Sequence, residues 1–179
     1  MKEEDTLVQK AQRGDKEAFG MLYDSYVAKI YRFVYLKVSD KAEAEDITQQ
    51  VFVRAWENVN TFTFQGFPFS SWLYRIAHNA VIDSYRTKKN VIAIELVSEL
   101  DVSYVTDHTE TLDTKQEMAR IVSALKKLKP DEQSILVMRF IDELSNKEVA
   151  HALGKTEGSV RVIQHRALKQ LKQYLGNDE

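Results

Sequence analysis

Residues 16–37 read KEAFGMLYDSYVAKIYRFVYLK, and the spacing within them decides the fold class. Apolar side chains fall at Phe19, Leu22, Tyr23, Tyr26, Ile30, Phe33 and Val34, with Val38 next, so they return every three or four positions. That interval lines one face of an α-helix, because each residue turns the chain by about 100°. Asp15 stands just ahead and can accept a hydrogen bond from a first-turn N–H, so a helix is expected from Lys16 to Lys37. The pattern extends outward in both directions. Upstream, a short helix is expected near Glu4 to Arg13. Downstream, Lys41 to Asn58 places Ala44, Ile47, Val51 and Ala55 on one side and Glu43, Asp46, Gln50 and Arg54 on the other, with Ser39 or Asp40 as cap. After a break at Gly66 and Pro68, a third long helix is expected from Ser70 or Ser71 to about Arg86.

The only prolines are Pro68 and Pro130, and 6 glycines are scattered through 179 residues, so long stretches carry nothing that interrupts a helix. Beyond a segment rich in Ser, Thr and Asp from Asn90 to Thr111, helical spacing resumes near Asp113 to Lys127, Asp131 to Asp142, Asn146 to Leu153 and Glu157 to Tyr174. The expected fold class is all-α: two small helical domains, residues 1–89 and 113–179, joined by a flexible acidic linker at 90–112, the second domain containing a helix-turn-helix.

Composition excludes several function classes. With 44% hydrophobic residues and a net charge of −2, the chain can bury a core and is not a disordered polyelectrolyte. No cysteine is present, which removes disulfides, thiolate nucleophiles and cysteine-ligated zinc; no cofactor, metal or catalytic residue is expected. The start, Met1-Lys2-Glu3-Glu4-Asp5, is acidic where a secretory signal is basic then apolar, and no apolar run is long enough to cross a bilayer, so a cytoplasmic location without membrane insertion is expected.

The near-neutral total hides a segregation of charge. Met1 to Asn60 carries −2, Thr61 to Asn90 +3, Val91 to Glu117 −6, and Met118 to Glu179 +3. Two basic zones flank an acidic one, as a chain with two separate phosphate-facing surfaces requires, although basic residues also solvate ordinary helix surfaces.

In the second zone, Val149, Ala150 and Leu153 offer an apolar face, Gly154 supplies a stop, and Thr156 can cap a helix that buries Val160, Ile163, Ala167, Leu168 and Leu171. Its opposite side carries Ser159, Arg161, Val162, His165, Arg166 and Lys169, donors suited to phosphates and base edges in a major groove. In the first zone, Phe62, Phe64, Phe67, Phe69, Trp72 and Tyr74 crowd around Gly66 and Pro68, ahead of Arg75, His78, Asn79, Arg86, Lys88 and Lys89. Two readings stay open for these rings: they anchor the loop on the core, or they stack on unpaired bases.

Three ordered stretches carry a resemblance. Ala44 to Trp56, AEDITQQVFVRAW, resembles the polymerase-binding helix of extracytoplasmic-function (ECF) sigma factors of the sigma-70 superfamily. Phe69 to Asn79, FSSWLYRIAHN, resembles that family's promoter-melting helix, and Leu128 to Gln133 with Gly158 to Ala167 resemble its fourth-region helix-turn-helix. The resemblance implies a sigma factor that directs core RNA polymerase to promoters and promotes melting, with duplex and single-stranded promoter DNA as partners and, as in many relatives, an anti-sigma factor. It assigns Asp46, Gln49, Gln50, Phe52, Arg54 and Trp56 to polymerase binding. Minus-ten DNA falls to Phe67, Phe69, Ser71, Arg75, His78, Asn79, Arg86 and Lys88, and the minus-thirty-five element to Glu157, Ser159, Arg161, His165 and Arg166. The sequence departs from many relatives at Val162-Ile163-Gln164 and in the Phe64 to Pro68 insert, so base preferences do not carry over. Two rivals remain: a polymerase-independent helix-turn-helix regulator, and a nucleic-acid enzyme using His78 with Asp83, which lacks a nucleophile or metal cluster.

Overall fold

The computed structural model describes residues 3–89 and 112–176, so most of the expected linker lies outside the described residues. The elements run α1 (Glu3–Gln12), α2 (Lys16–Val38), α3 (Lys41–Asn58), a 3-10 turn (Val59–Thr61), α4 (Phe69–Lys89), α5 (Leu112–Lys126), α6 (Pro130–Leu136), a π turn (Val137–Ile141), α7 (Asn146–Leu153) and α8 (Glu157–Gly176). No strand occurs among the described residues.

The caps explain the boundaries. Asp15 accepts from the Ala18 N–H at 2.9 Å and starts α2. Ser39 ends it in the left-handed conformation, φ 58°, and Asp40 then caps α3 by accepting from the Glu43 N–H at 2.8 Å. The chain therefore reverses within two residues, and α2 packs against α3. Ser145 and Glu148 form a reciprocal capping box at α7, Gly154 stops that helix at φ 62°, and Thr156 caps α8 through the Ser159 N–H at 3.1 Å.

Two expectations shift. The third long helix starts at Phe69, which follows Pro68 directly. The helix expected from Asp131 to Asp142 is two pieces: α6 opens with Pro130 at its first position, and then the Asp142 N–H reaches back five residues to the Val137 carbonyl at 3.0 Å. That wider turn accommodates an extra residue and leaves Phe140 exposed.

Ile30, Phe33, Val51, Leu73, Ala77 and Val81 from α2, α3 and α4 lie in one buried cluster that also contains Ile135, Met138, Val149 and Val160 from the carboxy-terminal helices. The two halves share this core, with α4 laid along α7. A smaller cluster of Leu125, Leu128, Leu136 and Ala167 holds α5, α6 and α8 together.

Candidate nucleic-acid and polymerase interfaces

Helix α4 has two working faces, set by its 3.6-residue turn. Ser71, Tyr74 and His78 share one side and are buried, while Trp72, Arg75, Ile76 and Asn79 share the other. Three of the residues expected at minus-ten DNA are consequently displaced from solvent. Phe69 is a core ring, 5.5 Å from Phe62 and 5.9 Å from Tyr26 between centroids, because the helix start must be pinned to the bundle. Ser71 is fully buried. His78 is enclosed by the carboxy-terminal half.

That enclosure is built on polar contacts. Ser134 donates its hydroxyl hydrogen to the Pro130 carbonyl at 2.9 Å, so its oxygen is left to accept from Lys37 Nζ and from His78 Nδ1, the latter at 3.1 Å. Lys37 Nζ also donates to the Pro130 carbonyl at 3.1 Å. His78 Nε2 stands 3.7 Å from Asp131, whose other oxygen pairs with Lys155 at 2.8 Å. Burial, with the positive charge of Lys37 next, lowers the His78 pKa to about 4, so its imidazole is neutral at pH 7. Burial likewise lowers Lys37 to about 7 against the opposing pull of Asp131. At the other end of the seam, Arg32 of α2 pairs with the buried Asp142 at 2.5 Å.

In the aromatic loop, Phe62 is core and Phe64 packs edge-on against it, centroids 4.9 Å apart. Gly66 takes φ 78°, a conformation that side chains strain, and turns Phe67 toward α7. There Phe67 lies on His151, centroids 4.0 Å apart and planes 16° from parallel, with Lys147 Nζ 5.1 Å from the ring centre. Arg75, Asn79, Arg86 and Lys88 remain exposed; Lys88 pairs with Glu43 at 2.5 Å.

On α3, Asp46, Gln49, Gln50 and Arg54 form an exposed polar row beside Val53, and with Glu57 they border a shallow groove. Phe52 departs from the expectation: it is buried, edge-on to Tyr23 at 4.7 Å. Trp56 is half-buried against Phe19 at 5.0 Å. Both lie where the inward stripe of α3 needs apolar area.

On α8, Arg161, Val162, His165 and Arg166 are exposed and Glu157 and Ser159 half-exposed, on the side away from Val160 and Ala167. Arg161 pairs with Glu157 at 3.2 Å, one turn away. Arg166 is partly committed, since its Nε donates at 2.9 Å to Glu132, a carboxylate only 1% exposed. Among the described residues no group of acidic and histidine side chains is arranged to hold a metal ion, and no helix is long and apolar enough to cross a membrane.

A family model for sigma-70 region 2 matches residues 22–91, and one for sigma-70 region 4 matches residues 124–173. SigW, an ECF RNA polymerase sigma factor of Bacillus subtilis, is 30% identical over 178 residues, an alignment covering 94% of this chain and 94% of SigW. The chain belongs to the ECF sigma factors.

A second ECF sigma factor, BldN of Streptomyces coelicolor, is 36% identical over 173 residues, which span 96% of this chain and 66% of BldN. Among solved structures, CnrH in complex with the cytosolic domain of CnrY is similar at a TM-score of 0.72 and 26% identity, covering 98% of this chain and 99% of that one. The sigma factor described here brings Arg75 and Asn79 together on one open face of α4, and Glu157, Ser159, Arg161, His165 and Arg166, the residues expected at the minus-thirty-five element, together on α8. It separates Phe67 and His78 from them. Lys37, Ser134, Lys147 and His151 were missed by sequence reasoning. A signal existed only for Lys37, which falls on the apolar stripe of α2 one turn past Phe33 and Val34.

Proposed function

We propose that this ECF sigma factor directs core RNA polymerase to specific promoters and promotes DNA melting there, acting in the cytoplasm and without covalent chemistry of its own. The observation that carries this is the order of the two matched regions along one chain, each with an exposed polar face on its own helix. Residues 1–89 and 113–179 are taken as the two functional domains, with 90–112 as the linker. Asp46, Gln49, Gln50 and Arg54 meet polymerase. Phe67, Arg75, Asn79, Arg86 and Lys88 meet the minus-ten strand, and Glu157, Ser159, Arg161, His165 and Arg166 the minus-thirty-five duplex. Polymerase holds the domains apart, so that duplex binding by one raises the effective concentration of the other at the strand to be melted. Capture of an extruded base offsets unstacking, about a few kcal/mol.

Phe67 and His78 are covered by the carboxy-terminal half here, so the DNA-bound form is an opened one. An anti-sigma protein belongs to the same reading: CnrH, similar along almost its whole length, is solved with a protein domain bound. The test is in vitro transcription with core polymerase, comparing the wild type with Asn79→Ala and Arg161→Ala. The expected result is loss of open complexes in the first and of upstream duplex protection in the second. A chain that binds promoter duplex but never core polymerase is instead an independent regulator.

A further inference from the structure

Along Val162-Ile163-Gln164, where the sequence departs from many relatives, the two apolar residues part company. Ile163 is half-buried and packs against the main core cluster. Val162 lies about 200° around α8 from the buried Val160. It is 67% exposed, more than any other large apolar side chain among the described residues.

The fold draws nothing from this valine. A β-branched residue is a poor helix former, so at an exposed position it weakens the helix without packing in return. One turn earlier, a Cβ added at Gly158 would meet nothing nearer than the Thr156 Oγ1 at 4.0 Å, so that glycine answers no packing need and leaves Val162 unscreened. Ser159 stands one turn before, His165 and Arg166 one turn after, and Arg161 beside it, all open to solvent in whole or in part. Arg166 is tethered through its Nε to the buried Glu132, which holds one cation at a fixed place beyond the valine.

A pair of methyl groups ringed by hydroxyl, imidazole and guanidinium groups makes a narrow demand. A dry protein pocket would have to bury those polar neighbours along with the valine, at a cost that one small apolar side chain does not offset. A polyanion suits the cations, and a duplex carries one apolar group in its major groove, the 5-methyl of thymine. Every other base edge there offers only donors, acceptors or a bare C–H, to which Val162 gives nothing back. We propose that Val162 reads a 5-methylpyrimidine in the minus-thirty-five element, selecting thymine at the base pair beneath it, between contacts from Ser159 on one side and from His165 or Arg166 on the other. The proposal rests on the sigma-factor reading and adds a residue and a base to it. The polar side chains of α8 hold the duplex, and the valine sets which base is accepted.

The test uses holoenzyme assembled from core polymerase and the full chain, with promoters selected from random-sequence duplex. Each thymine of the enriched upstream element, on either strand, is replaced in turn by uracil, which deletes the methyl and keeps the pairing. At one position the loss of wild-type affinity should be about three- to fivefold, the size of one buried methyl. The same replacement should cost nothing in Val162→Ser and should still cost in Val162→Ile, neither of which touches the core. Cytosine at that position, paired with guanine, should bind weakly, and 5-methylcytosine should recover part of the loss. Uracil tolerated at every position, an upstream element without thymine, a uracil penalty unchanged in Val162→Ser, or equal weakness of the two cytosines overturns the role of Val162 and leaves the sigma-factor reading in place. No core binding, or no sequence enriched, overturns that reading and the valine's role with it.

Discussion

The imidazole of His151 lies flat on the ring of Phe67, 4.0 Å between centroids and 16° between planes, in the geometry of one base upon another. A side chain of the carboxy-terminal half thus occupies the ring face that the proposed function gives to a nucleobase, and on that proposal strand and histidine compete for it. His151→Ala is expected to raise the affinity of the free chain for a fluorescein-labelled single-stranded oligonucleotide by about three- to tenfold, the size of one aromatic contact. Anisotropy titration measures it, and equal affinities would remove the competition.

The seam around His78 makes closure pH-dependent. His78 has a pKa of about 4 when enclosed against an ordinary 6.5, so its neutral form is the one that fits, facing Lys37, Asp131 and Lys155. Its contribution is complete above pH 6.5 and is lost as pH falls toward 4. Lys37, lowered from 10.5 to about 7, acts in the same direction: closure weakens as pH falls from 10.5 to 7, and the cost stays in full below that. Asp131, held below its ordinary value, adds to the trend at its acid end. The chain has no cysteine, so dyes on Glu57→Cys and Lys172→Cys report the spacing of the halves by energy transfer. Transfer is expected to drop between pH 8 and pH 5.

Arg32 holds down a carboxylate that burial opposes. Asp142 is enclosed, and burial raises its pKa although Arg32 pulls the other way. Arg32→Met strands that charge, and urea unfolding should show a loss of roughly 3 kcal/mol at pH 7. The loss should shrink as the solution is acidified toward pH 4, because protonation removes the unpaired charge.

The two arginines Arg161 and Arg166 of α8 separate by stability. Arg161 pairs with Glu157 on an exposed surface, worth about 0.3–0.5 kcal/mol, so Arg161→Ala should leave the melting temperature almost unchanged. Arg166 is the partner of the buried Glu132, and Arg166→Ala should cost about 2 kcal/mol in addition to any loss of DNA binding. Scanning calorimetry of both variants shows which arginine also neutralises the fold.

Helix content and caps were legible because their causes are local: Asp15, Gly154 and Thr156 act within one turn of themselves. The inward turn of Phe52 and Phe69 was ambiguous, since an aromatic beside a basic helix suits a core and a nucleic acid equally. The burial of Ser71 and His78 was not legible, because it depends on α6 and α7 arriving from far along the chain. The π turn at Val137–Ile141 leaves no compositional mark, as it is a single backbone bond displaced by one residue. Lys37 was the overlooked clue: a lysine on an apolar stripe needs polar company, and Ser134 and Pro130 supply it.

The apolar cluster that runs from Leu73 and Val81 into Val149 and Val160 means that neither half is a finished object when the other leaves. Parting them wets hydrocarbon that only water or a newly arrived surface can then cover. Opening in plain solvent must therefore raise the heat capacity, and whatever stabilises the spread form must bring its own dry contact to the exposed flanks.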